Sequence, residues 1–154
     1  MNQINKITRK RKYIMDRRKD TLMITSSALY IIPAAIYYKI GDMIGAILFT
    51  LVAFTSVMAD GIYFGVRFYR LLDRFLAPLC YIYACVNIFI HAYKYCKQYL
   101  LCIIIIMIIP LLFYYKSKQI QLKNPYTYNH RYWHICWHIA CVTALSLILI
   151  YFYL

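Results

Sequence analysis

Apolar residues in this chain fall into five long runs, at about 22–40, 43–64, 73–93, 99–115 and 132–154, separated by short stretches richer in charge, glycine or amides. The runs lack period-two alternation and exceed the roughly 11 residues of a membrane β-strand, so helices are expected throughout. A helix of about 20 apolar residues crosses a hydrocarbon core about 30 Å thick. The pattern therefore predicts an all-α fold: a polytopic transmembrane helix bundle with about five spans over 21–154, behind a basic tail at 1–20. Lys39-Ile40-Gly41-Asp42 reads as a tight turn between the first two spans, marked by its glycine. Pro78 and Pro110 lie inside the third and fourth runs, where membrane helices tolerate proline if neighbours satisfy the freed carbonyls. The fourth run is apolar on every side around Ile103–Ile109 and is expected to face lipid broadly. Tyr37, Tyr38, Tyr93, Tyr95, Tyr114 and Tyr115 crowd the run ends, the headgroup level that amphipathic rings prefer. A polar loop is expected near 116–131.

Composition sharpens this picture. The chain is 64% hydrophobic with a formal charge of +13 and a mean hydropathy of +0.57. A soluble domain of this size leaves roughly a third of its unfolded surface exposed and has no place for so much apolar area. The same excess excludes disorder. Six cysteines, five of them inside apolar runs, do not read as a secreted disulfide framework; small apolar fillers or palmitoylation sites fit them better than metal ligands.

The basic residues set the orientation. Eight lie in the tail (Lys6, Arg9, Lys10, Arg11, Lys12, Arg17, Arg18, Lys19), three follow the second span (Arg67, Arg70, Arg74), and four follow the fourth (Lys116, Lys118, Lys123, Arg131). Only Lys39, Lys94 and Lys97 fall on the other side. The positive-inside rule then places the N-terminus in the cytoplasm and the C-terminus across the membrane. The tail reads as a topogenic segment resting on anionic lipid headgroups rather than as a nucleic-acid arm. The first run starts too late and is too long for a signal peptide.

Acids are scarce: Asp16, Asp20, Asp42, Asp60 and Asp73, with no glutamate. Ionisable groups at membrane depth are costly and mark function or a specific partner. With five alternating spans, Asp60 near the end of the second, Asp73 at the start of the third, and His134 and His138 in the first turns of the fifth share one depth. They lie within about two helical turns, roughly 11 Å, of the cytoplasmic surface. His134 and His138 are an i, i+4 pair on one helix face, a spacing that lets two imidazoles grip one metal ion. Adding Asp60 gives three ligands for zinc with a fourth position open to water, the arrangement of a catalytic site. Asp73 is then the candidate to orient or deprotonate that water. Ser56, four residues before Asp60, is the candidate for a supporting or oxyanion contact. Plainer readings stand beside these: interfacial histidines at an aromatic helix end, and ion pairs of Asp73 with Arg74 or of Asp60 with Arg67 or Arg70. His130 continues the i, i+4 series but is expected to precede the fifth helix.

Taken together, Ser56-x-x-x-Asp60, Asp73-Arg74-Phe75-Leu76-Ala77 and His134-Ile135-Cys136-Trp137-His138 resemble the CREST superfamily of multi-pass membrane hydrolases and receptors. That group includes alkaline ceramidases, progestin and adipoQ receptors and myomaker-like proteins. Its pattern is S-x-x-x-H, then Asp, then H-x-x-x-H on the last core helix, the three histidines binding zinc. In this chain Asp60 stands where the family has its first histidine, and five spans stand where the family has seven. The resemblance implies a metal-dependent hydrolase of lipid amide or ester bonds, with zinc held by Asp60, His134 and His138. The competing class is a non-enzymatic multi-pass protein, receptor-like or structural, whose polar cluster only packs helices. A transporter fits less well, since inverted halves and paired broken helices are not evident.

Overall fold

The computed structural model describes residues 21–62, 66–95, 97–123 and 128–153. Among the described residues there is no strand, and five helical segments are long and apolar enough to cross a bilayer: Thr21–Lys39, Met43–Ile62, Arg67–Tyr95, Lys97–Lys123 and Asn129–Tyr153. The expected basic tail, the last two residues of the expected second span and the final residue of the fifth lie outside the described residues.

The first span is two helices rather than one. Helix α1 covers Thr21–Ala28 and α2 covers Ile31–Lys39. Pro33 explains the break: it has no N–H for the carbonyl of Leu29, four residues earlier. That carbonyl instead accepts from Ile32 at 2.9 Å, a tighter turn. The α1 segment ends on Ser26 and Ser27, both buried. The turn after α2 uses Gly41 at φ 84°, a conformation that glycine adopts without a Cβ penalty. Asp42 then caps α3 (Met43–Val57), its carboxylate accepting from the Gly45 N–H at 3.0 Å. The same carboxylate accepts from the Tyr83 hydroxyl at 2.8 Å and the Asn87 amide at 3.4 Å, fastening α3 to α4 (Arg67–Tyr95).

Beyond α3 the second span finishes in a π-helical turn, Met58–Ile62. A short 3-10 turn, Lys97–Tyr99, leads into α5 (Leu100–Lys123), and α6 covers Tyr128–Tyr153. The expected loop at 116–131 is thus mostly helix, with α5 running on to Lys123 and α6 beginning at Tyr128. Lys116, Lys118, Gln119 and Gln121 are good helix formers whose stems can lie along the bundle while their heads reach polar surroundings. Lys118 also donates to Gln121 at 3.2 Å. Similarly, α4 starts at Arg67, six residues ahead of the apolar run.

Side-chain contacts define an up-and-down bundle. Helices α5 and α6 are antiparallel: Tyr99 meets Tyr151 at one end, while Phe113 meets Trp133 and Tyr114 meets Trp137 toward the other. The first span packs between the second and the fifth, and α4 lies against α3. Small residues (Ala34, Ala46, Ala53, Cys80, Ala84, Ala92) fill much of the core, as close packing of membrane helices requires. Cys80 and Cys141 belong to that core. On the outside, Ile104, Ile105, Ile106, Ile108 and Ile109 of α5 are all exposed. Tyr81 of α4 donates to the carbonyl of Met107, in the turn before Pro110.

Tyr37 turns into the bundle instead of lying on its surface. It is 1% exposed and stacks on Phe49 with ring centroids 5.3 Å apart. Gly45 makes room for it, since a Cβ there would lie 2.5 Å from the ring. Tyr38, Tyr93, Tyr95, Tyr114 and Tyr115 remain exposed.

Candidate metal centre

The polar residues gather at the end of the bundle opposite Asp42. Helix α6 carries His134 and His138 one turn apart, their ring centroids 4.6 Å apart. Asp60 comes from the π turn of the second span, a distortion that recurs at functional sites. His134 Nε2 lies 3.1 Å and His138 Nε2 lies 3.9 Å from the same oxygen, Asp60 Oδ2. One ligand atom from each residue falls within 4.8 Å of the others. Metal bonds of about 2.0–2.2 Å in a tetrahedral arrangement hold donors about 3.3 Å apart. The observed spacings straddle that distance. The donor set, two ring nitrogens and one carboxylate, also matches the chemistry of a divalent cation. This buried cluster can hold a metal ion.

Burial makes the cluster selective about its partners. Asp60 is 8% and His138 1% exposed, so their polar atoms need ligands of fixed geometry rather than bulk water. The first span supplies two: Ser27 Oγ donates to Asp60 Oδ2 at 3.3 Å and sits 3.3 Å from His138 Nδ1, while Ser26 Oγ sits 3.4 Å from the same nitrogen. Tyr30 closes the site with an edge-on contact to the His138 ring, centroids 5.4 Å apart. Trp137 packs against both histidines. The approach of α1 depends on Gly61, whose absent Cβ would lie 2.2 Å from Ile24 Cγ1.

Ser56 and Asp73 are brought together, but not into the three-donor set. Ser56, 1% exposed, donates to Asp73 Oδ1 and so ties the start of α4 to the turn just before Asp60. The i, i+4 reading of Ser56 and Asp60 assumed α-helical winding. The intervening π turn breaks that register, so the serine serves Asp73 while Asp60 meets the histidines. His130 also differs from expectation. Helix α6 includes it, it is 6% exposed, and its ring stacks on His134 with centroids 5.7 Å apart. His91 lies at the opposite end, among Tyr95, Phe152 and Tyr153.

Sequence reasoning missed Ser26, Ser27 and Tyr30. The available signal was a run of three hydroxyls, Thr25-Ser26-Ser27, within an apolar stretch and just ahead of a proline-induced break. No protein-family model, curated protein or solved structure matches the chain.

Proposed function

We propose that the chain is an integral, multi-pass membrane protein with a zinc centre, and that it hydrolyses lipid amide or ester bonds near the cytoplasmic leaflet. The convergence of Asp60 with His134 and His138 at one buried point carries this reading. The CREST-like spacing of Ser56, Asp73, His134 and His138 supports it by analogy of pattern. A bound zinc ion would supply Lewis acidity, polarising a carbonyl and acidifying water at neutral pH. The chain's own residues do the rest. His134 is the less buried of the two imidazoles. Asp73, held by the Ser56 hydroxyl, is the carboxylate outside the donor set, and in this reading it takes a proton from a water and returns it to the leaving group. Ser56 orients that carboxylate. Trp137 covers both imidazoles and Tyr30 covers His138 with ring surface, which keeps bulk water from them.

The test is turnover of fluorescent N-acyl and O-acyl lipids by the purified chain in lipid nanodiscs. Hydrolysis of one class is expected, lost with 1,10-phenanthroline and regained with zinc. Absence of any turnover by zinc-loaded chain would overturn the hydrolase reading. A second reading, a non-enzymatic protein whose cluster only packs helices, draws on the 3.1 Å contact of His134 with Asp60, which is short enough to be a direct hydrogen bond. It predicts no stoichiometric zinc and tolerance of Asp60→Asn.

The cytoplasmic N-terminus rests on the basic residues, fifteen of eighteen being assigned to the end that carries the cluster. Lys39→Cys is then expected to react with a membrane-impermeant maleimide added to intact cells, over the background of the native cysteines. Lys116→Cys is expected to react only after permeabilisation. The opposite pattern would invert the assignment and move the cluster to the outer leaflet.

A further inference from the structure

We infer that Ser26 and Ser27 are positioning residues of the metal centre, holding His138 in the tautomer that carries its proton on Nδ1 and leaves Nε2 as a lone pair aimed at the point shared with Asp60 and His134. The inference rests on the metal reading above and names what prepares His138 to be a ligand.

The protons of the two hydroxyls decide what His138 can carry on Nδ1. A serine hydroxyl has one proton and two acceptor lone pairs. Ser26 donates that proton to the carbonyl of Met23 at 2.9 Å, a bond within α1. Ser27 donates its proton to Asp60 Oδ2 at 3.3 Å. Both hydroxyl oxygens nevertheless face His138 Nδ1, at 3.4 and 3.3 Å. With their protons committed in this way, the two oxygens face Nδ1 as acceptors, an arrangement that favours the tautomer with the proton on Nδ1. Were it a lone pair, it would face two others in a site where Ser26, Ser27 and His138 are each no more than 3% exposed. Neutral imidazole has a single N–H, which leaves Nε2 unprotonated. That nitrogen stands 3.9 Å from Asp60 Oδ2, too far for a direct hydrogen bond but suited to two donors sharing one cation.

A metal-bound histidine ordinarily donates its remote N–H to a carboxylate, carbonyl or water, which fixes its ring. Here two adjacent serines at the last turn of α1 take that part, and Ser27 touches two donors of the cluster at once. Neighbouring residues on a helix point in different directions by about 100°. Their joint reach to one nitrogen is possible because α1 ends there and lies close against Gly61.

Zinc affinity of the purified chain, measured by competition with a chromogenic chelator, tests this. The double variant Ser26→Ala/Ser27→Ala is expected to bind zinc about 10–100-fold more weakly, the range for lost supporting contacts, while still reaching one zinc per chain at saturation. Alanine favours the helix, so α1 is retained, and Ser27→Thr, which keeps a hydroxyl, is expected to recover most of the affinity. Nitrogen-15 spectra of labelled histidine give a readout that packing alone would not move: His138 is expected to show Nδ1–H in the wild type, with and without zinc, and a mixed tautomer in the double variant. Equal affinity in wild type and double variant would overturn the inference, as would a wild-type His138 protonated at Nε2. A wild type that binds no zinc would instead overturn the metal reading, and the spectra of the metal-free chain would still decide the tautomer.

Discussion

His138→Ala is expected to abolish stoichiometric zinc binding by the purified chain, a loss larger than the about 10–100-fold that follows removal of a supporting hydrogen bond. His138 is the more buried of the two imidazoles, and it supplies one of the three donors that meet at the cluster among the described residues. Removing it leaves Asp60 and His134, a two-donor remnant that a chelator outcompetes readily. His91→Ala is the matched control, because that ring packs with Tyr95, Phe152 and Tyr153 at the opposite end of the bundle. Equilibrium dialysis against zinc, followed by elemental analysis, gives the comparison. One zinc per chain in His138→Ala, or equal losses in both variants, would count decisively against a centre built on Asp60, His134 and His138.

Gly61→Ala is expected to have the second largest effect, although Gly61 offers no ligand atom. The added methyl would arrive 2.2 Å from Ile24 Cγ1 and 2.7 Å from its Cδ1. Both atoms belong to one side chain on α1, so either that side chain or the whole helix must move. Overpacking of this kind costs about 1–3 kcal/mol, read as a lowered midpoint of thermal unfolding in detergent. A displaced α1 also takes Ser26 and Ser27 away from Asp60 and His138, so zinc affinity falls with stability. Combining Gly61→Ala with Ile24→Ala removes the collision and is expected to restore both. A single variant with wild-type midpoint and wild-type affinity would show that the close approach of α1 has no bearing on the cluster.

These effects separate what can be read along the chain from what only the folded bundle reveals. The five apolar runs were legible because each is long enough to bridge a bilayer unaided, a property of local composition. Their ends were less so. Lys116 to Lys123 looks like loop by charge, yet long basic and amide side chains extend α5 comfortably. Pro33 is a local signal for the break in the first span, masked by the apolar residues on either side of it. The pairing of His134 with His138 follows from helical spacing, and its meeting with Asp60 follows from alternating spans of similar length. The part played by Ser26 and Ser27 has no such local signature. It depends on the first span packing against the fifth, more than one hundred residues later, and on a glycine that permits close approach. Tyr37 teaches the same lesson, since its burial is decided by the missing side chain of Gly45 across a turn.

The second span has a carboxylate at each end: Asp42 holds Tyr83 and Asn87, and Asp60 holds Ser27 and His134. At about 1.5 Å per residue, their separation of eighteen positions spans about 27 Å, close to the thickness of the hydrocarbon layer. The helix is therefore pinned like an axle in two bearings. Sliding it along its axis, or turning it about that axis, would break polar bonds at both ends, and those of Asp60 lie in a buried cluster where bulk water does not replace them. Asp42, far from any chemistry, thus acts as the distant stop that sets where Asp60 comes to rest.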